Sequence, residues 1–239
     1  MVRTLLLSAL LSPLPGRSSD DQFCCTGGGR VMRLKNSLKK LRFGVLRVRQ
    51  MTSTQTRLWT VEEYHRMAET GIIGSEERVE LIEGQIIKMS PQLPPHATAV
   101  NCASDYLREL LAGRVTVRVQ LPVTLKLKSA PESEPEPDIA IVQPPTRRYR
   151  DHHPSESEIF LVVVVADTTL ETDRKTKATA YAKAQIADYW IIDVKQRRVF
   201  VLRNPGQETY EQEAVLDQDA TITPLAFPNL AVEVEQLLP

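Results

Sequence analysis

Glu132, Glu134 and Glu136 alternate with other residues in a proline-rich run, and Asp138 follows Pro137 where the apolar stretch DIAIV begins. A carboxylate at a strand end can ligate a hard, oxygen-seeking cation. An aspartate after a proline is equally ordinary turn chemistry, and a run of glutamates is commonly a solvated loop. Further along, Asp173 and Lys177 stand four apart in a helical stretch. That spacing stabilises a helix by about 0.3 kcal/mol without any active site. Glu80 sits in the β-like run VELI, where it can be the exposed member of an alternating strand. His152 and His153 are adjacent and lack a second His or Cys pair, so solvated loop residues are the simpler reading. No GxGxxG, GxxxxGK or GxSxG pattern occurs, which removes the usual signals of dinucleotide, P-loop and serine-hydrolase chemistry.

These residues have to be positioned by a recognisable set of elements. Thr60, with Glu63 three positions on, predicts a capped helix through VEEYHRMAE that stops at Gly71. RVELIEGQIIKM reads as a hairpin around Glu83-Gly84. Residues 96–111 read as a helix with Ala99, Ala103, Tyr106, Leu107, Leu110 and Leu111 on one side and Gly113 closing it. Val115, Val117 and Val119 alternate with Thr116, Arg118 and Gln120, the pattern of a half-buried strand. Pro122 is expected to open a further strand, VTLKLK, before the proline-rich loop, DIAIV and a polar loop over residues 143–157. The unbroken apolar run IFLVVVVA suits a strand covered on both faces. A helix, DRKTKATAYAKAQ, and a strand, DYWIIDV, follow it in the order of a layered α/β core. RRVFVLR is expected to return as a hairpin through Lys195-Gln196, and residues 215–238 to form a tail of short strands ending in an apolar turn.

The 239 residues balance 30 Lys and Arg against 30 Asp and Glu, but unevenly. Residues 1–50 hold ten bases and two acids, leaving twenty bases and twenty-eight acids for residues 51–239. The first segment lacks a sustained period and reads as a disordered basic extension. A secretory signal without a small-residue cleavage pattern and an over-extended gene start ahead of Met51 are the alternatives. Only Cys102 lies in the main domain, so neither a disulfide framework nor a CxxC site is expected and a reducing, cytoplasmic setting is the default. No apolar run approaches the roughly 20 residues of a membrane span.

Taken in order, RVELIEGQIIKMSP, PPHA, VQLPV, EPEPDIAIV, FLVVVVADTTL and DRKTKATAYAKAQIADYWIID resemble the Uma-type endonuclease family of the PD-(D/E)XK restriction-endonuclease-like superfamily, over most of residues 57–230. The resemblance implies a single α/β domain at residues 51–239, a mixed β-sheet flanked by helices, and metal-dependent hydrolysis of phosphodiesters in double-stranded DNA. It implies Asp138 as the first metal-binding acid and Lys177 as the lysine that stabilises charge on the phosphorane. Glu80 becomes an upstream acid available as a further ligand, and the ion is Mg²⁺, with Mn²⁺ as a substitute. The family's second core acid falls on Val164. Asp167 is the nearest replacement ligand, although strand alternation points it to the face opposite residue 164 unless a bulge intervenes, while Glu171 and Asp173 lie in or beyond the following turn. The expectation is an endonuclease impaired at Val164, with a non-catalytic nucleic-acid-binding or protein-interaction module on the same fold as the alternative. Arg147, Arg148 and Arg150, with Lys175 and Lys183, are the candidate DNA contacts on a domain that is otherwise net acidic. A homodimer would follow by analogy with enzymes that cut both strands.

Overall fold

The computed structural model describes residues 56–126 and 130–239. The expectations for residues 1–50 lie outside the described residues. Helix α1 (Val61–Glu69) begins at Thr60, whose side chain accepts from the Glu63 N–H while the Glu63 carboxylate accepts from the Thr60 N–H. Strands β1 (Val79–Ile82) and β2 (Gln85–Lys88) form an antiparallel hairpin, with Glu83 and Gly84 both at positive φ as a two-residue turn of this hand requires. A Cβ on Gly84 would stand 2.7 Å from Leu58 Cβ, so this corner is closed to larger residues. Helix α2 (Pro94–Leu110) starts two residues before the expected position, using Pro94 and Pro95 in its first turn, where missing N–H donors cost nothing.

The core is a six-stranded sheet in the order β3-β4-β5-β6-β7-β8. It comprises β3 (Thr116–Val119), β4 (Ile139–Val142), β5 (Ile159–Ala166), β6 (Asp188–Asp193), β7 (Arg198–Pro205) and β8 (Tyr210–Asp217). All neighbours are antiparallel except β5 and β6, which run parallel. A parallel pair needs a crossover, supplied here by α3 (Leu170–Thr172), a π-turn (Asp173–Lys177) and α4 (Ala178–Lys183) in succession. Two short strands, β9 (Thr221–Ile222) and β10 (Val232–Glu233), pair near the C-terminus.

Alternation along β5 divides the core. Leu161, Val163 and Val165 pack with α2, Trp190 and the C-terminal turn, whereas Val162, Val164 and Ala166 pack with Ala178, Tyr181, Tyr189 and Phe200. This is the two-sided burial that the IFLVVVVA run implies.

Four expectations are corrected. Residues 122–126 make only isolated bridges, Thr124 to Ser155 and Leu125 to Ser133, because Pro122 and the facing prolines lack the donors a ladder needs. β3 is covered on both sides rather than half-buried: Thr116 and Arg118 lie under the 143–158 loop, through Thr146, Tyr149 and His153, while Val117 and Val119 pack against the core. The β6–β7 connection spans residues 194–197, with Arg197 at positive φ, because Asp193 pairs with Arg198. The tail begins earlier than expected, since β8 is a full eight-residue edge strand starting at Tyr210.

Candidate active site

The register of β4 and β5 decides what stands beside Asp138. Ile139 pairs with Val163 in an antiparallel ladder, so the next position outward sets Asp138 against Val164 on the face covered by α4. Asp138 Oδ2 accepts the Val165 N–H at 2.7 Å, fixing the carboxylate against the end of β5. Val164 is 2 % exposed and packs with the same apolar group as Ala178 and Tyr181. A carboxylate at 164 would share its face with Asp138; the valine offers methyl groups instead.

On the helical side, Lys177 Nζ lies 3.0 Å from Glu80 Oε1, with both side chains largely out of water. Glu80, read from sequence as a possible exposed strand residue, is 4 % exposed because β1 is tied to the 132–136 segment, and its other oxygen accepts the Glu136 N–H at 3.3 Å. Burial pulls the Lys177 pKa down, but the nearby carboxylates of Glu80, Asp173 and Asp138 outweigh it and hold the ammonium above its usual range. Asp173 opens the π-turn one turn before Lys177, and burial pushes its pKa up to about 6, against the pull of Lys177 and the Thr169 hydroxyl. Such π-turns concentrate at functional sites because the extra residue redirects the side chains around it.

Glu80, Asp138, Asp167 and Lys177, all singled out from sequence, line one cleft of about 250 Å³. β5 ends at Ala166, so strand alternation no longer governs Asp167; it lines the cleft and lies 3.6 Å from Lys195 Nζ. His96, Glu136 and Asp173 line it too. His96 Nε2 meets Asp138 Oδ1 at 2.9 Å, and chiefly that bond raises the imidazole pKa above its ordinary value. The PPHA motif carried this histidine in the sequence without a role. Asp173 was visible there only as half of a helix-stabilising pair.

The donor chemistry of the cleft is that of a hard cation, with five carboxylates against two lysines, Lys88 and Lys177. Its present geometry is different. Asp138 has one oxygen on His96 and the other on Val165, Glu80 is held by Lys177, and position 164 has no oxygen to offer. Among the described residues, no three His, Cys, Asp or Glu side chains are placed to hold a metal ion. The residues present do not fit a resident Mg²⁺.

The remaining candidates lie outside this cleft. Arg148 is paired with Glu158 at 2.7 Å, Arg150 with Asp151, Lys175 with Glu171 and Lys183 with Glu83. Arg147, Arg148 and Arg150 belong to the loop after β4, at the other end of that strand from Asp138. His152 and His153 line a separate surface cleft with His65 and Arg150.

Residues 61–235 match the family model Uma2, described as "Putative restriction endonuclease". The chain belongs to this family. The Uma2 domain here is also similar in structure to a "putative nuclease belonging to DUF820" from Anabaena variabilis, with a TM-score of 0.55 at 18 % identity, covering 74 % of this chain and 96 % of that one. At that identity the likeness speaks to the fold, a mixed sheet flanked by helices. None of the curated proteins matches the sequence. Among the described residues of this Uma2 chain, no helix is long and apolar enough to cross a membrane.

Proposed function

We propose that this chain is a DNA endonuclease of the PD-(D/E)XK type whose Mg²⁺-dependent hydrolysis is disabled at position 164, while the phosphate-recognising part of the cleft is retained. The observation that carries this reading is the apolar packing of Val164 directly across the β4–β5 pair from Asp138. A strongly hydrated dication is normally held by one or two carboxylates together with substrate phosphates. Here the single core carboxylate is already engaged on both oxygens.

Lys177 is the cleft's buried cation and the group that would meet a scissile phosphate, with Glu80 holding it in place until then. Asp138 is oriented by His96 and the Val165 N–H. Double-stranded DNA is the substrate, with Arg147, Arg148, Arg150 and Lys175 offering charge to the parts of a duplex that extend beyond the cleft. Mg²⁺, or Mn²⁺ in its place, is the ion that a repaired site would take.

The test is nicking of supercoiled plasmid in Mg²⁺ or Mn²⁺ by the full chain, by Val164→Glu and by each combined with Asp138→Ala, with circular dichroism confirming that each variant folds. The natural chain is expected to be silent, and Val164→Glu to nick in a manner abolished by Asp138→Ala. Nicking by the natural chain that depends on Asp138 would overturn the impairment. A folded but silent Val164→Glu would leave a non-catalytic nucleic-acid-binding module on the same fold.

A further inference from the structure

Tyr181 is the one tyrosine among the described residues with a buried hydroxyl lacking any hydrogen-bond partner. Its ring is fully buried and meets the Tyr189 ring at a tilt of 44°, with centroids 4.8 Å apart. The neighbouring tyrosines show how unusual this is: Tyr189 donates to the Asp173 carbonyl and Tyr210 to the Ile186 carbonyl. Leaving a buried hydroxyl unmade costs about 1–3 kcal/mol, so an orphan of this kind calls for an explanation.

Its position supplies one. Tyr181 follows Lys177 by four residues on the same helical course, and so shares a face with it. Lys177 is neutralised by Glu80, and an incoming phosphate would compete for the same ammonium. Glu80 has a side chain only 5 % exposed, so releasing it from Lys177 without another donor would strand a buried carboxylate. We propose that Tyr181 is the positioning residue that receives Glu80: when a phosphate engages Lys177, the Glu80 carboxylate turns from the ammonium to the Tyr181 hydroxyl. This rests on the reading of Lys177 as the phosphate contact. Burial and the charges of Glu80 and Asp173 hold the Tyr181 hydroxyl well above its ordinary pKa, so it remains a donor throughout the neutral range.

The exchange has a signature that a merely structural tyrosine would not give. In the free protein the hydroxyl is unsatisfied, so Tyr181→Phe should leave the thermal midpoint unchanged or raise it. In the complex the hydroxyl is needed, so the same change should weaken binding of a short duplex oligonucleotide about tenfold, as loss of a hydrogen bond to a charged group does. The measurement is fluorescence anisotropy in EDTA with the full chain, for Tyr181→Phe, Lys177→Ala and the double variant, alongside thermal unfolding. Lys177→Ala should weaken binding, and the double variant should bind no worse than Lys177→Ala, because without the ammonium Glu80 has nothing to exchange. If Lys177→Ala weakens binding and Tyr181→Phe does not, the exchange is overturned while Lys177 remains a phosphate contact. Additive effects in the double variant would also overturn it. If Lys177→Ala binds as the natural chain does, the phosphate reading falls and takes the exchange with it.

Discussion

Asp173 is held toward its neutral form by the fold. Its pKa rises from 3.8 to about 6 on folding, chiefly through burial. The folded state therefore keeps a proton that the unfolded state has released, and stability falls as pH rises from about 4 through 6. The shift corresponds to a loss on the order of 2–3 kcal/mol once pH exceeds both values. His96 acts in the same direction at higher pH: its raised pKa contributes stability present below 6.5 and lost as pH climbs through the folded value. Asp173→Asn replaces the carboxylate by a neutral group that can still accept from Thr169. It is expected to raise the thermal midpoint by roughly 5 °C at pH 7.5 and to leave it nearly unchanged at pH 4, as followed by circular dichroism. An equal gain at both pH values would show that burial of the charge is not what shifts this residue. At this scale the sequence was most legible where residue type and motif agreed. Asp138, Glu80 and Lys177 could be named because each sits in a distinct motif, whereas the contact of His96 with Asp138 joins residues 42 apart and leaves no periodic trace.

Individual elements are held by a few buried polar groups as much as by apolar packing. Asp188, at the start of β6, is fully buried and accepts from Arg203 Nε at 2.8 Å, Trp190 Nε1 at 2.8 Å and the Leu225 N–H at 2.9 Å. It thereby joins β6, β7 and the segment following β9. Asp188→Ala would orphan all three donors at once and is expected to cost about 3–5 kcal/mol, lowering the thermal midpoint by roughly 10 °C. Truncating Glu62, whose partner Arg66 is also exposed on α1, should change it by less than about 2 °C. A small effect of Asp188→Ala in thermal unfolding would mean that water replaces the carboxylate. The same contrast explains which elements could be read beforehand. β5, α1 and the β1–β2 hairpin are specified locally, by an apolar run, a capping box and a two-residue turn. β3 was assigned correctly as a strand but expected to be covered on one side only, because the 143–158 loop that buries Thr116 and Arg118 leaves no mark in the strand's own alternation. β8 escaped because most of its side chains are exposed, so pairing to β7 makes it a strand without an apolar pattern to announce it.

For the molecule as a whole, an acidic described domain has to meet a polyanion. Phosphate contacts make affinity fall with salt, with a slope of about 0.9 per contact on duplex DNA. Replacing Arg147, Arg148 and Arg150 together by Ala is expected to reduce that slope by about 1–2, because Arg148 is already committed to Glu158. Titrations of a 20–30 base-pair duplex at several salt concentrations would measure it, and an unchanged slope would remove this loop from the interface. The fold class was the most legible level of all, since a strand, helix and strand in that order leave few architectures open. What the chain did not disclose was that the arginine loop and the acidic cleft lie toward opposite ends of β4.

The free edge of β8 also limits how two copies could meet. Glu211 and Asp217 stand exposed, and Glu213 is paired with Arg174, along an outer strand whose backbone has no neighbour on one side among the described residues. Antiparallel pairing of this edge with itself would crowd like charges, a protection common to exposed sheet margins. A dimer able to reach both strands of a duplex would therefore have to form through another surface at neutral pH. With those acids replaced by neutral residues, the same margin would become a template for strand addition, joining two copies edge to edge into one continuous sheet.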